Sequence, residues 1–262
     1  MTWQIALPMY NVSPRIEGAY EALLLALAGE AGVHAELARP HDLPSFWRSP
    51  ELLLSQTCGY PYMTQLRGDV ALLATPCFDF SGCEGSDYRS AIVVREGGGI
   101  RSLADARGRV AAVNERHSHS GMNALRHAVA PHTRDGRFFA SVKWSGSHAA
   151  SLRLVREGAA AIAAIDSATF GYLALEQPDS LRGLSILQYS APSPGLPLIA
   201  GRAVPDELAA QLRSALLAPS PAVRQLMSAL HIDRFEHRTD ADYERVLLLE
   251  AQARAAGYPV LT

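Results

Sequence analysis

Short apolar runs of strand length alternate with segments of helical period along most of this chain. That alternation restricts the fold more than any other feature. Trp3 to Leu7, Val33 to Leu37, Leu52 to Ser55 and Val70 to Thr75 are bounded by turn residues, and each reads as a buried strand. Ser13 and Pro14 open a helix whose apolar run continues through Leu27 and ends near Gly32, proline being tolerated in a first turn. A polar, glycine-rich stretch from Phe78 to Asp87 leads into Tyr88 to Val94. A second series comes next: strand 110–113, helix 121–129, strand 138–144, helix 148–157, strand 161–165, helix 167–176 and a return strand 184–189. Ala191 to Pro197 is a turn-rich link, and the remainder reads as mainly helical over 205–217, 221–229 and 240–256.

This pattern predicts an α/β protein with mostly parallel sheets flanked by helices. The second series lies inside the first, so two lobes are expected: residues 1–88 plus 190–262 as a discontinuous first lobe, and 89–189 as the inserted second. Two crossings near 88 and 189 would form a hinge, and a hinge between α/β lobes makes a cleft able to shut on a ligand.

The chain has 262 residues, 48% hydrophobic and 19% charged, which suits one large or two compact domains. Its formal net charge of −2 gives no electrostatic reason to expect nucleic acid or an anionic membrane as partner. Any anion site must therefore be local and built from aimed donors. No apolar run reaches the roughly 20 residues needed to span a bilayer, so no direct membrane insertion is expected. The opening from Met1 to Pro8 lacks the basic start and long apolar segment of a secretory signal and reads as the first strand. Cys58, Cys77 and Cys83 form neither a metal-ligand spacing nor an even-numbered disulfide framework. No cofactor or metal motif stands out.

The segment from Asn114 to Val129 carries the chemistry. It succeeds the apolar run Gly108 to Val113, and Met122, Leu125 and Val129 then fall at helical spacing. A strand feeding a turn of Ser118, His119, Ser120 and Gly121 at a helix start presents hydroxyls, N–H groups and the positive end of the helix dipole together. That combination suits a small oxyanion. The plainer reading is that Ser118 and Ser120 only cap the helix. His148 stands at another helix start, where as an imidazolium it would add a charge-assisted bond; alternatively its ring lies in solvent. Asp166, directly before Ser167, would accept from a ligand amine or hydroxyl or orient His148, or would simply cap a helix. Tyr10 and Tyr60 offer apolar faces with one phenolic donor each, although Tyr60, before Pro61, could equally be a core aromatic.

Four pieces in order resemble the substrate-binding components of phosphate, phosphite and phosphonate ABC transporters, which share the type II periplasmic-binding-protein fold. They are Leu54 to Pro61; Tyr88 to Arg95 with Ile100 to Gly108; Asn114 to Gly121; and Gly146 to Leu152 with Ala163 to Ser167. The resemblance implies a phosphonate or phosphate gripped by Ser118, His119 and Ser120, with His148 on the next βα loop. It implies an acidic residue matching Asp166, and aromatic groups of the other lobe matching Tyr60 and Tyr10. It departs from the family pattern at His119, which replaces a small hydroxyl residue inside the turn.

The expected function is therefore a non-catalytic solute-binding protein for a small anionic ligand, with an ABC permease as partner and no catalytic residue. The alternative is an enzyme or binder of pyrimidine or thiamine-precursor type on the same fold. The family implies a periplasmic location; this chain shows no signal pattern, which leaves the cytoplasm open, although a mature form with its signal removed would look the same.

Overall fold

Helix Pro14–Glu30 begins where the sequence places it, because Ser13 Oγ accepts the Ile16 N–H at 3.2 Å and Pro14 fits the first turn. In this computed structural model, which describes residues 2–262, the helix buries Ile16, Tyr20, Leu23 and Leu27 along one stripe. The stripe belongs to the first of two units. The first comprises residues up to Asp79, Glu84–Asp87 and Pro194–Tyr243; the second comprises Phe80–Cys83, Tyr88–Ser193 and Glu244–Thr262. The chain thus changes unit after Asp79, Cys83, Asp87, Ser193 and Tyr243.

The first unit holds a sheet in the order Ile232–Glu236, Val70–Phe78, Leu198–Gly201, Leu52–Gln56, Trp3–Ala6, Ala35–Leu37. Trp3–Ala6 runs parallel to both of its neighbours. Leu198–Gly201 is antiparallel to Leu52–Gln56 and Val70–Phe78, and Ile232–Glu236 is antiparallel to Val70–Phe78. This sheet is mixed rather than mostly parallel. Both reversed strands come from the chain after Ser193, which the sequence pattern assigns to a link and helices. Gly201 permits the close pairing: a Cβ there would stand 2.9 Å from Leu52 Cβ and nearer still to the Leu52 carbonyl oxygen.

The second unit holds a sheet in the order Leu184–Tyr189, Ser90–Arg95, Ile162–Asp166, Val110–Val113, Ser141–Trp144. Its first two pairings are antiparallel and its last two parallel. Because the last three strands share one direction, the loops after Val113, Trp144 and Asp166 leave from the same edge, where open α/β sheets place ligands.

The C-terminal segment corrects the expected lobe division. Ala253, Tyr258 and Leu261 enter the second unit's apolar core beside Val113, Leu125 and Ile162. Tyr258 is fully buried, and the Phe138 and Phe139 N–H groups both donate to the Thr262 carbonyl, at 3.1 and 2.9 Å. Burying side chains of this size stabilises by about 1.5–3 kcal/mol each, enough to fix where the segment belongs.

Candidate functional site

Strand Val110–Val113 is buried from Ala111 onward and delivers Asn114 to the edge of the second unit's sheet. The chain then bends, and Ser118 takes an extended conformation (φ −80°, ψ 128°) and caps a helical segment. The first turn of that segment, His119–Asn123, is a π turn, with the Asn123 N–H reaching the Ser118 carbonyl at 3.2 Å. It runs directly into helix Ala124–Val129. Helical geometry therefore starts two residues earlier than the sequence period suggests. A π turn carries an extra residue and re-aims side chains, which is why such turns recur at functional sites. Ser118, His119 and Ser120 are all buried.

Gly121 is closely approached by side chains within the turn. A Cβ on Gly121 would overlap Asn114 Oδ1 and lie 2.9 Å from Asn114 Cγ and 3.3 Å from Ser118 Oγ. The Gly121 N–H donates to Ser118 Oγ at 2.9 Å, so this donor is already engaged, unlike the free N–H expected from a bare helix start.

His148 opens helix His148–Arg156, which Ser147 caps by accepting the Ala150 N–H at 3.1 Å. Its Nε2 lies 2.9 Å from Ser120 Oγ, and Ser120 Oγ lies 3.4 Å from Ser118 Oγ. The structure thus brings Ser118, Ser120 and His148 into one hydrogen-bonded group. Burial pushes the His148 imidazole down to about 4. It is a neutral ring near pH 7, not the imidazolium the sequence suggests.

The other residues fall differently. His119 turns inward, where its Nε2 bonds Ser193 Oγ at 2.7 Å, and burial lowers its pKa to about 4 as well. The ring fastens the turn to the chain at Ser193. Asp166 Oδ1 accepts the Thr169 N–H at 2.9 Å and caps helix Ser167–Glu176, so the capping role is realised. Its Oδ2 is shielded with no partner among the described residues, and burial raises the carboxyl to about 6. Tyr10 is a core aromatic of the first unit, with ring centroids 6.2 Å from Tyr20 and 5.3 Å from Phe78. Tyr60, also in the first unit, is half-buried in the short helical turn Gly59–Pro61, where its carbonyl accepts from Thr64 Oγ1 at 2.7 Å.

Sequence reasoning overlooked Asn114, Ser193 and a buried cation. Arg126 is 4% exposed, donates to Asn123 Oδ1 and the Pro259 carbonyl at 2.7 Å each, and pairs with Glu250 at 3.3 Å. One signal was present, because Arg126 sits four residues after Met122 on the apolar stripe of its helix. A cation there requires a buried partner.

Burial of these groups sets a pH dependence. His119 and His148 titrate near 4 when folded and near the usual 6.5 when unfolded, so the unfolded chain binds more protons between these values. Their contribution to stability is lost as pH falls through that window. Asp166, raised from 3.8 to about 6, acts in the opposite sense and offsets part of the loss. The Tm is expected to fall between pH 6.5 and pH 5, and to fall more steeply in Asp166→Asn, which keeps the cap but removes the opposing acid. A Tm that is flat or rising over that range in both proteins contradicts the assignment.

Solved structures share this architecture. PhnD1 from Prochlorococcus marinus in complex with methylphosphonate is 14% identical, with 97% of this chain and 98% of that chain covered at a TM-score of 0.80. A binding protein component of an ABC phosphonate transporter from Pseudomonas aeruginosa is 18% identical, covering 97% and 87% at a TM-score of 0.81. A Xanthomonas citri protein bound to ATP is 17% identical, covering 97% and 98% at a TM-score of 0.71. A search of curated proteins by sequence gave no match. The common fold is that of type II periplasmic binding proteins, two α/β lobes of mixed sheets flanked by helices. The family model for the periplasmic substrate-binding protein of phosphonate ABC transporters matches residues 6–243, and the chain belongs to that family. Its function is non-catalytic solute binding, which displaces the enzyme alternative.

Proposed function

We propose that the second unit holds a small phosphonate, phosphite or phosphate through the hydroxyl protons of Ser118 and Ser120, with His148 fixing the direction of the second. Proton accounting carries this reading. Each serine hydroxyl has one proton to donate and lone pairs with which to accept. Ser118 Oγ already accepts from the Gly121 N–H, which leaves its proton to be donated, either to Ser120 Oγ across the 3.4 Å contact or, in exchange, to an anionic oxygen. In the tautomer protonated at Nε2, a neutral His148 would donate to Ser120 Oγ across the 2.9 Å contact and leave the Ser120 proton for an anionic oxygen; in the other tautomer the ring would accept that proton until the ligand competes for it. The positive end of helix 119–129 adds its dipole at the same place. The proposed anion site uses second-unit residues alone, and the shielded Asp166 Oδ2 is the acceptor that a donor on the ligand would have to reach.

The P. marinus relative is bound to methylphosphonate, which makes that compound the natural first probe. The solute would be handed to an ABC permease from the periplasm, in keeping with the family. Among the described residues no helix is long and apolar enough to cross a membrane.

Calorimetry with methylphosphonate, phosphite and phosphate is expected to give measurable heat with at least one of them. Ser120→Ala should weaken that binding by about tenfold to a hundredfold, the worth of one hydrogen bond to a charged group. Absence of heat and of any thermal shift across the three anions defeats the proposal, as does a Ser120→Ala protein that binds like the parent.

A further inference from the structure

Two side chains at the rim of this group remain without a role in anchoring one oxyanion. Arg116 lies two residues before Ser118, and Trp144 ends the strand that leads to His148. The two loops are stitched together: Val113 and Trp144 are register partners, Ser145 N–H donates to the Val113 carbonyl at 2.8 Å, and Gly146 N–H donates to the Asn114 carbonyl at 3.0 Å. On this base the Arg116 guanidinium lies over the Trp144 ring, 4.4 Å from its centroid.

The pair is not explained by packing. Trp144 is 39% exposed and Arg116 is exposed, so neither fills a core. Among the described residues Arg116 has no acidic partner and no hydrogen bond. A guanidinium stacked on an aromatic face keeps its in-plane N–H donors free, and stacking holds that plane in a narrow range of orientations. Such a group is preorganised to take a planar anion by two parallel bonds. Strand order sets its relation to the anion turn. Val110–Val113, which carries Ser118 and Ser120, runs between Ile162–Asp166 on one side and Ser141–Trp144 on the other. The turn is therefore flanked by the Asp166 carboxyl on one side and the Arg116 cation on the other.

We propose that Arg116, held flat on Trp144, reads a second anionic group of the ligand, so that the site prefers phosphonates bearing a carboxylate over alkylphosphonates of equal length. The inference rests on the oxyanion reading of Ser118, Ser120 and His148, and it adds the class of substituent. Two matched pairs test it by calorimetry: phosphonoacetate against ethylphosphonate, and 3-phosphonopropionate against propylphosphonate. The parent protein is expected to favour the carboxylated member of at least one pair by about tenfold, as for one charge-assisted contact. Arg116→Gln should bring that ratio to about one, and Trp144→Leu should lower it. Ser120→Ala should weaken both members and keep the ratio. A parent ratio near one in both pairs, or an Arg116→Gln protein that retains the preference, overturns the role of Arg116. An unchanged ratio in Trp144→Leu overturns the role of the stack. If Ser120→Ala weakens neither member, the oxyanion reading itself is at fault.

Discussion

Gly121→Ala is expected to lower affinity for the bound anion by about tenfold, the scale of one misaimed hydrogen bond to a charged group. The new methyl group would overlap Asn114 Oδ1 and approach Ser118 Oγ at 3.3 Å. The Asn114 backbone is held by the 3.0 Å bond that its carbonyl receives from Gly146, so relief comes from rotation of the Asn114 side chain or from a shift of the turn. A shift of the turn carries both serine hydroxyls away from their aim. Calorimetry with methylphosphonate reads the loss, and circular dichroism shows whether the fold is kept. A folded Gly121→Ala protein that binds within a few-fold of the parent would show that the turn does not grip the ligand.

The largest loss of stability is expected from Glu250→Leu. The Glu250 carboxylate neutralises Arg126, which is buried beneath the anion turn and also donates to Asn123 and Pro259. Removing one partner strands the other charge out of water, which typically destabilises by about 3–5 kcal/mol. The double variant Arg126→Met with Glu250→Leu should recover much of this, since no buried charge is then left uncompensated; Arg254, which also bonds Glu250 at 2.9 Å, is exposed to solvent. Denaturant unfolding of the three variants measures both effects. If Glu250→Leu shifts stability by less than about 1 kcal/mol, the pair is solvated and structurally minor.

Much of the second unit was legible from residue order. Val110–Val113 is a continuous apolar run with valine at each end, Leu184–Tyr189 is an apolar run interrupted by Ser185 and Gln188, and both fall where the pattern puts them. The start of the helix at Ser167 is announced by the acid before it, and the serine turn by hydroxyls placed between a buried strand and a helical stripe. Strand Ile232–Glu236 was not legible. It has two buried apolar residues, Ile232 and Phe235, and an irregular register with Val70–Phe78, so no alternation announces it. Leu198–Gly201 is short and comes after a proline-rich link, and its pairing with distant strands is what makes it a strand. The apolar face of Asp240–Ala255 says that the helix packs, but not against which sheet, so the sequence pattern left its C-terminal half in the wrong lobe. Charge state was hidden for a related reason. The neutrality of His148 comes from burial by residues remote in sequence, which spacing does not reveal.

The placement of Tyr258 and Leu261 in the second unit's core also bears on how this protein comes into being. A ribosome finishes the strands of that unit well before it makes the residues that complete its interior. The nascent second unit must therefore wait, partly open, until the whole first-unit segment Pro194–Tyr243 has been synthesised. Biogenesis of the anion-holding half is tied to residues translated after that whole segment, and a factor that shields apolar surface has its longest opportunity there.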